Sequence, residues 1–109
     1  MSLYFPTAGE LGRHTIFPGV AIETCAAEKM MLSVVDLQPH SVVAEHSHPH
    51  EQVGMLLEGE VTFTIGDERK VLKAGDMWRI PGNVQHKVET GSTPARAIDI
   101  FCPVREEYR

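Results

Sequence analysis

Apolar and polar residues alternate along much of this chain with a period of two, in short segments cut by Gly and Pro. Val61-Thr62-Phe63-Thr64-Ile65 shows it most plainly: on an extended strand, side chains two apart point to the same side, so one face is buried and the other is wet. Breaks fall at Pro39, Pro49, Gly59, Gly66, Gly75, Pro81-Gly82 and Gly91, a spacing that suits strands better than helices. Between them lie segments rich in β-branched and aromatic residues, 20–24, 31–37, 53–58, 61–65, 69–72, 77–80, 84–89 and 95–101. About eight strands are predicted. Gly66-Asp67 forms a two-residue hairpin turn, since Gly supplies the positive φ that a primed turn needs. The one helix-tolerant window, Cys25 to Met31, is too short to hold a helix alone and is read as a connection.

Many short strands in 109 residues predict an all-β, single-domain sandwich, jelly roll or barrel. One core and one site must account for the function. Net charge is −5 and no run of Lys or Arg forms a basic stripe, which argues against nucleic acid as a partner. Apolar runs are only a few residues long and the start lacks the basic and apolar regions of a secretory signal, so no membrane span and a cytoplasmic location are expected. Met1-Ser2-Leu3 reads equally as native sequence or as an expression remnant. Cys25 and Cys102 are too few for a disulfide framework and are expected to be free thiols.

Four of the six histidines, His40, His46, His48 and His50, lie within eleven residues. If His46 and His48 share a strand they project in parallel, with Cα atoms roughly 6.6 Å apart, and can converge on one cation. Gln52 has their parity if that strand runs on, whereas Glu51 does not, so the neutral amide becomes the third ligand. A fourth must come from elsewhere, and His86, between Val84 and Val88 on one strand face, is a histidine that needs a polar partner if buried. The expected cofactor is one divalent transition metal on His46, His48, Gln52 and His86, with Zn, Ni, Fe, Mn and Co all compatible. The alternative is a solvated loop cluster with His86 hydrogen-bonded in the core. His14, His40 and His50 are read as exposed or outside the ligand set, with no role assigned to His50.

A second signal stands near the end of the chain. In Ala97-Ile98-Asp99-Ile100-Phe101, Asp99 shares a face with Ala97 and Phe101, opposite the two isoleucines. If the isoleucines lie outside, Asp99 points inward, where a carboxylate must be paired, hydrogen-bonded or protonated. It is then a candidate acid or base; otherwise it faces solvent or pairs with Arg96 or Arg105. Arg105, beyond Pro103, is placed to fold over the barrel mouth and meet a carboxylate in a bidentate fork. Trp78 and Arg79 are weaker candidates for lining the pocket.

These residues resemble the two cupin motifs. In the first, His46-Ser47-His48 is followed by Gln52 in the usual Glu slot and by Gly59, with His40 in the leading Gly slot. In the second, Gly75, Pro81 and His86 match, Asn83 stands in the second Gly slot and Thr90 in the Asn slot. The motifs span about residues 40–59 and 75–90. The resemblance implies a double-stranded β-helix, the jelly-roll barrel of the RmlC-like cupins, often as a homodimer; Leu3 to Phe17 is a candidate exchanged or docking strand. Three imidazoles and an amide leave the metal's charge uncompensated, which favours a Lewis acid or anion anchor over a redox centre.

The run from His46 to Gly54, Ile80 to Val84, and the ending Asp99 to Glu106 are further similar to the pectin-degradation cupins of the KdgF type. That resemblance implies an enzyme opening 4,5-unsaturated uronate monosaccharides to linear ketonic forms. Asp99 and Arg105 would then be catalytic, Phe101 and Arg105 would bind substrate, and the partner would be a small anionic sugar. The rivals are an iron-dependent cupin dioxygenase and a non-catalytic sugar- or metal-binding module.

Overall fold

In the computed structural model, which describes residues 3–109, the alternating segments form two antiparallel sheets around one apolar core. Met1 and Ser2, two of the three residues of the ambiguous N-terminal tripeptide, lie outside the described residues. Ten strands run in chain order: β1 (Gly12–Phe17), β2 (Val20–Ala26), β3 (Met31–Leu37), β4 (Val42–His46), β5 (Glu51–Glu58), β6 (Glu60–Ile65), β7 (Glu68–Lys73), β8 (Met77–Ile80), β9 (His86–Thr90) and β10 (Ala95–Cys102). One sheet has the order β1-β2-β3-β10-β5-β8, the other β4-β9-β6-β7. Neighbours far apart in sequence, such as β3, β10 and β5, make this the expected jelly roll. No helix among the described residues is long and apolar enough to cross a membrane.

Eight strands are found where the pattern predicts them, and β6 and β7 are joined through Gly66 at φ 59°. The two extra strands, β1 and β4, are those whose alternation is weakest: Arg13, His14 and Thr15 blur the first, Glu45 and His46 the second. Residues 27–30 form a turn, as the connection reading requires. Within Leu3 to Phe17, the segment Gly12–Phe17 forms β1 and pairs with β2 of the same chain.

Side chains facing inward from both sheets build the core, with Val20, Leu56, Val61, Phe63, Leu72 and Ile80 all nearly inaccessible. Phe63 and Trp78 pack at 4.9 Å between ring centroids, within the range in which aromatic pairs attract. At each of the four Gly slots of the two motifs the backbone has positive φ: 56° at His40, 85° at Gly59, 95° at Gly75 and 68° at Asn83. His40 and Asn83 therefore keep the conformation that Gly would supply, at a cost that Asn tolerates better than most residues.

Candidate metal centre and acid pocket

The first-motif histidines do not share a strand. β4 ends at His46, residues 47–50 bend, and β5 begins at Glu51, so the parity argument fails in its premise. The side chains converge nevertheless. His46 pairs across the sheet with His86, and the bend turns His48 back into the barrel. One ring nitrogen each from His46, His48 and His86 lies within 4.8 Å of the others. Asn83, at the turn of the second motif, donates its backbone N–H to the His48 carbonyl at 2.7 Å and holds that bend in place.

Hydrogen bonding fixes which nitrogen faces inward. Nδ1 of His46 lies 2.9 Å from the Ala44 carbonyl, Nδ1 of His48 3.0 Å from that of His50, and Nδ1 of His86 2.9 Å from that of Val84. Each Nδ1–H donates to a carbonyl, which leaves every Nε2 as a bare lone pair. Burial lowers the pKa of His86 to about 4 and that of His48 below its usual value, so both rings are neutral near neutral pH.

Gln52 supplies the sharpest sign that the site suits a cation. Its Oε1 sits 3.0 Å from His48 Nε2, while its Nε2 donates to Asp99 Oδ1 at 2.9 Å. His48 is neutral and its only N–H is already given to His50, so two acceptors face each other. Rotating the amide would set Oε1 against the Asp99 carboxylate instead. A cation resolves the conflict, because two donors each about 2.1 Å from a common metal lie roughly 3 Å apart. The residues present therefore fit a metal held by three imidazoles and the Gln52 carbonyl oxygen.

Asp99 points inward, the first of the two orientations its parity allowed, and is 9% exposed. Trp78 Nε1 also donates to Oδ1, at 2.9 Å. Burial raises the carboxyl pKa to about 6, against the opposing pull of the Gln52 and Trp78 hydrogen bonds and the Arg105 charge. Arg96 is not its partner but pairs at the surface with Asp36 at 3.2 Å. The packing depends on Gly54, which sits between Asp99 on β10 and Trp78 on β8. Any Cβ there would collide with both the Asp99 oxygen and the Trp78 indole nitrogen.

Arg105 is buried and lines the same cavity. Its guanidinium carbon lies 4.1 Å from the Tyr108 ring centre and 5.2 Å from that of Phe101, while Nη2 and Nε bond Glu107 at 2.8 and 3.0 Å. Phe101 packs edge-on to His48 at 5.6 Å. Trp78 lies both in the core and against the acid, whereas Arg79 points out of the barrel and is not a pocket residue. His50 is half-buried rather than exposed, with Nδ1 buried and unpartnered. His14 is likewise half-buried and bonds the Arg109 carbonyl at 3.1 Å; only His40 is exposed as expected.

His46, His86, Gln52, Asp99, Phe101 and Arg105 all line one cavity of about 620 Å³, its open mouth included. Tyr108, Gly54 and Glu107 join the site without having been singled out in the sequence. Of these, only Gly54 carried a signal, as an isolated Gly inside an apolar strand marks a close approach.

Comparison with known proteins agrees with this fold. The cupin-domain family model matches residues 33–101. The pectin degradation protein KdgF of Dickeya dadantii is 25% identical over 83 residues, covering 75% of this chain and 76% of that protein. An RmlC-like cupin from Shewanella frigidimarina is similar in structure with a TM-score of 0.87 and 27% identity, over 99% of this chain and 97% of the other. KdgF from a Halomonas species shares the fold with a TM-score of 0.83 at 23% identity, over 94% and 96% of the two chains.

Proposed function

The chain belongs to the cupin-domain family, and from that premise we propose that it is a metal-dependent enzyme converting 4,5-unsaturated uronate monosaccharides to linear ketonic forms. The observation that carries the reading is the chain of contacts from His48 through Gln52 to Asp99, which sets a carboxylate able to take and return a proton against the candidate metal centre. Support for the substrate comes from the similarity to KdgF and from a pocket whose one cation is Arg105, in a protein of net charge −5.

The reaction is an isomerisation. The hemiacetal hydroxyl at C1 loses its proton, the C1–O5 bond breaks to give an aldehyde, and the electron pair left on O5 forms an enolate; protonation at C4 then yields the C5 ketone. Asp99 takes the first proton and returns one to C4, a role suited to a carboxyl whose pKa lies near 6. Both hydrogen bonds to Asp99 fall on Oδ1, which leaves Oδ2 to carry the proton. Arg105 holds the substrate carboxylate, and Phe101 and Tyr108 keep its guanidinium in place. His46, His48, His86 and Gln52 would hold the metal, which supplies Lewis-acid stabilisation of negative charge on a substrate oxygen when bound.

The test is decay of the conjugated-alkene ultraviolet absorbance of the monosaccharide, followed with metal-loaded protein of known elemental content. Turnover well above the uncatalysed rate is expected. A rate equal to that in buffer overturns the reading.

A further inference from the structure

Strand β3 turns Met31, Ser33, Val35 and Leu37 inward, so one hydroxyl stands in a row that is otherwise apolar. Ser33 is 1% exposed and lines the cavity. Burying a hydroxyl is costly unless it is hydrogen-bonded, and the other buried hydroxyls of the barrel are. Thr24 Oγ1 donates to the Tyr108 carbonyl, while Ser41 Oγ and Thr90 Oγ1 donate to the Gln38 carbonyl. Among the buried, described residues only the Ser33 hydroxyl has no protein partner.

Its place in the sheet gives that hydroxyl a use. Ser33 is the cross-strand partner of Asp99 on β10, and Gly54 faces Asp99 from the other side. Directly opposed residues hold their Cβ atoms about 5 Å apart. The Gln52 and Trp78 bonds both fall on Asp99 Oδ1, so Asp99 Oδ2 and the Ser33 hydroxyl are neighbouring polar groups with no bond to the protein, both on side chains that line the cavity. We propose that Ser33 is a specificity residue whose hydroxyl hydrogen-bonds the C3 hydroxyl of the substrate.

The inference rests on the uronate reading, in which Asp99 returns a proton to C4. Of the two ring carbons beside C4, C5 carries the ring oxygen and the carboxylate that Arg105 holds, whereas C3 carries a free hydroxyl. A side chain standing next to the proton donor therefore meets C3. Serine both donates and accepts, so it can pair with a sugar hydroxyl in either sense. A site that hydrogen-bonds a substrate hydroxyl rejects an analogue lacking it, because the protein's own buried group is then left unpaired. Ser33 is already in that unpaired state without substrate, and the C3 hydroxyl relieves it.

Alanine keeps the small volume and removes only the hydroxyl, so Ser33→Ala is the test. Metal-loaded wild type should convert the unsaturated uronate with a kcat/KM about tenfold above that for its 3-deoxy analogue, the worth of one neutral hydrogen bond. Ser33→Ala should treat the two alike, at the wild-type value for the analogue. Its Tm should be no lower than that of wild type, since it buries one unpaired polar group fewer. A binding measurement separates the inference from the reading beneath it: calorimetric titration with galacturonate, which is saturated and does not undergo the reaction, should give a Kd about tenfold weaker in Ser33→Ala. Wild type that neither turns over nor binds uronate overturns the uronate reading and this inference with it. Wild type that does so, beside a Ser33→Ala that matches it or keeps the preference for the 3-hydroxy substrate, overturns the inference alone. A Tm well below that of wild type would assign the hydroxyl to folding and overturn it as well.

Discussion

Asp99 concentrates the conflict between stability and chemistry in one side chain. Its folded pKa of about 6 lies above the ordinary 3.8, so the folded chain holds this proton more tightly than the unfolded chain does. The destabilisation is absent below about 3.8, grows as pH rises, and is complete above about 6. In the metal-free protein Asp99→Asn should therefore raise Tm at pH 8, by an amount corresponding to about 1–3 kcal/mol, and leave it nearly unchanged near pH 4. The amide oxygen still accepts from Gln52 and Trp78, so packing is retained. Turnover should be lost, and in wild type the rate should fall about tenfold per pH unit below 6, where the base is protonated. Calorimetry across pH, paired with the absorbance assay, reads both effects; a variant with unchanged Tm at pH 8 would contradict the burial penalty.

At the scale of elements, three neighbouring strands build the acid's surroundings: β10 presents Asp99, β8 presents Trp78, and β5 between them leaves a gap at Gly54. Gly54→Ala adds a single methyl group where no room exists. The Trp78–Asp99 bond should break and stability should fall by about 1–3 kcal/mol, with a shift in the emission of the chain's one tryptophan. Denaturant titration followed by fluorescence checks both; unchanged midpoint and spectrum would show that the strands part without cost. The C-terminal turn Glu106–Tyr108 works similarly for Arg105. It is tied down by Thr24 Oγ1 donating to the Tyr108 carbonyl at 2.5 Å, and it crosses β1 where Gly12 has no side chain to obstruct it.

At the scale of the whole molecule, a metal held at the candidate site would link binding to folding. The three imidazoles come from the end of β4, from the bend after it and from β9, and Gln52 comes from the opposite sheet. A cation held by these side chains would therefore tie the two sheets together. With metal at a hundredfold excess over Kd, binding adds about 2.7 kcal/mol, roughly 10 °C or more in Tm for a domain of this size. Chelation should remove that increment and readdition should restore it, as differential scanning calorimetry would show. Equal melting with and without chelator would mean that the cluster holds no metal.

Periodicity alone determined most of the strands and set Asp99 on the face opposite its flanking isoleucines, because the side-chain period of two is a local property of extended backbone; the packing of the two sheets decided which face is inward. Motif spacing brought His46, His48, Gln52 and His86 to one site, although the continuous strand invoked for the first three does not exist. Only the tertiary structure decided what lies beyond local geometry. The bend at residues 47–50 turns His48 inward because Asn83, remote in sequence, hydrogen-bonds its carbonyl. Trp78 meets Asp99 because β5 intervenes with a glycine, and Tyr108 reaches Thr24 because the chain end crosses β1. Such contacts depend on which strands become neighbours, and in a jelly roll those neighbours lie tens of residues apart.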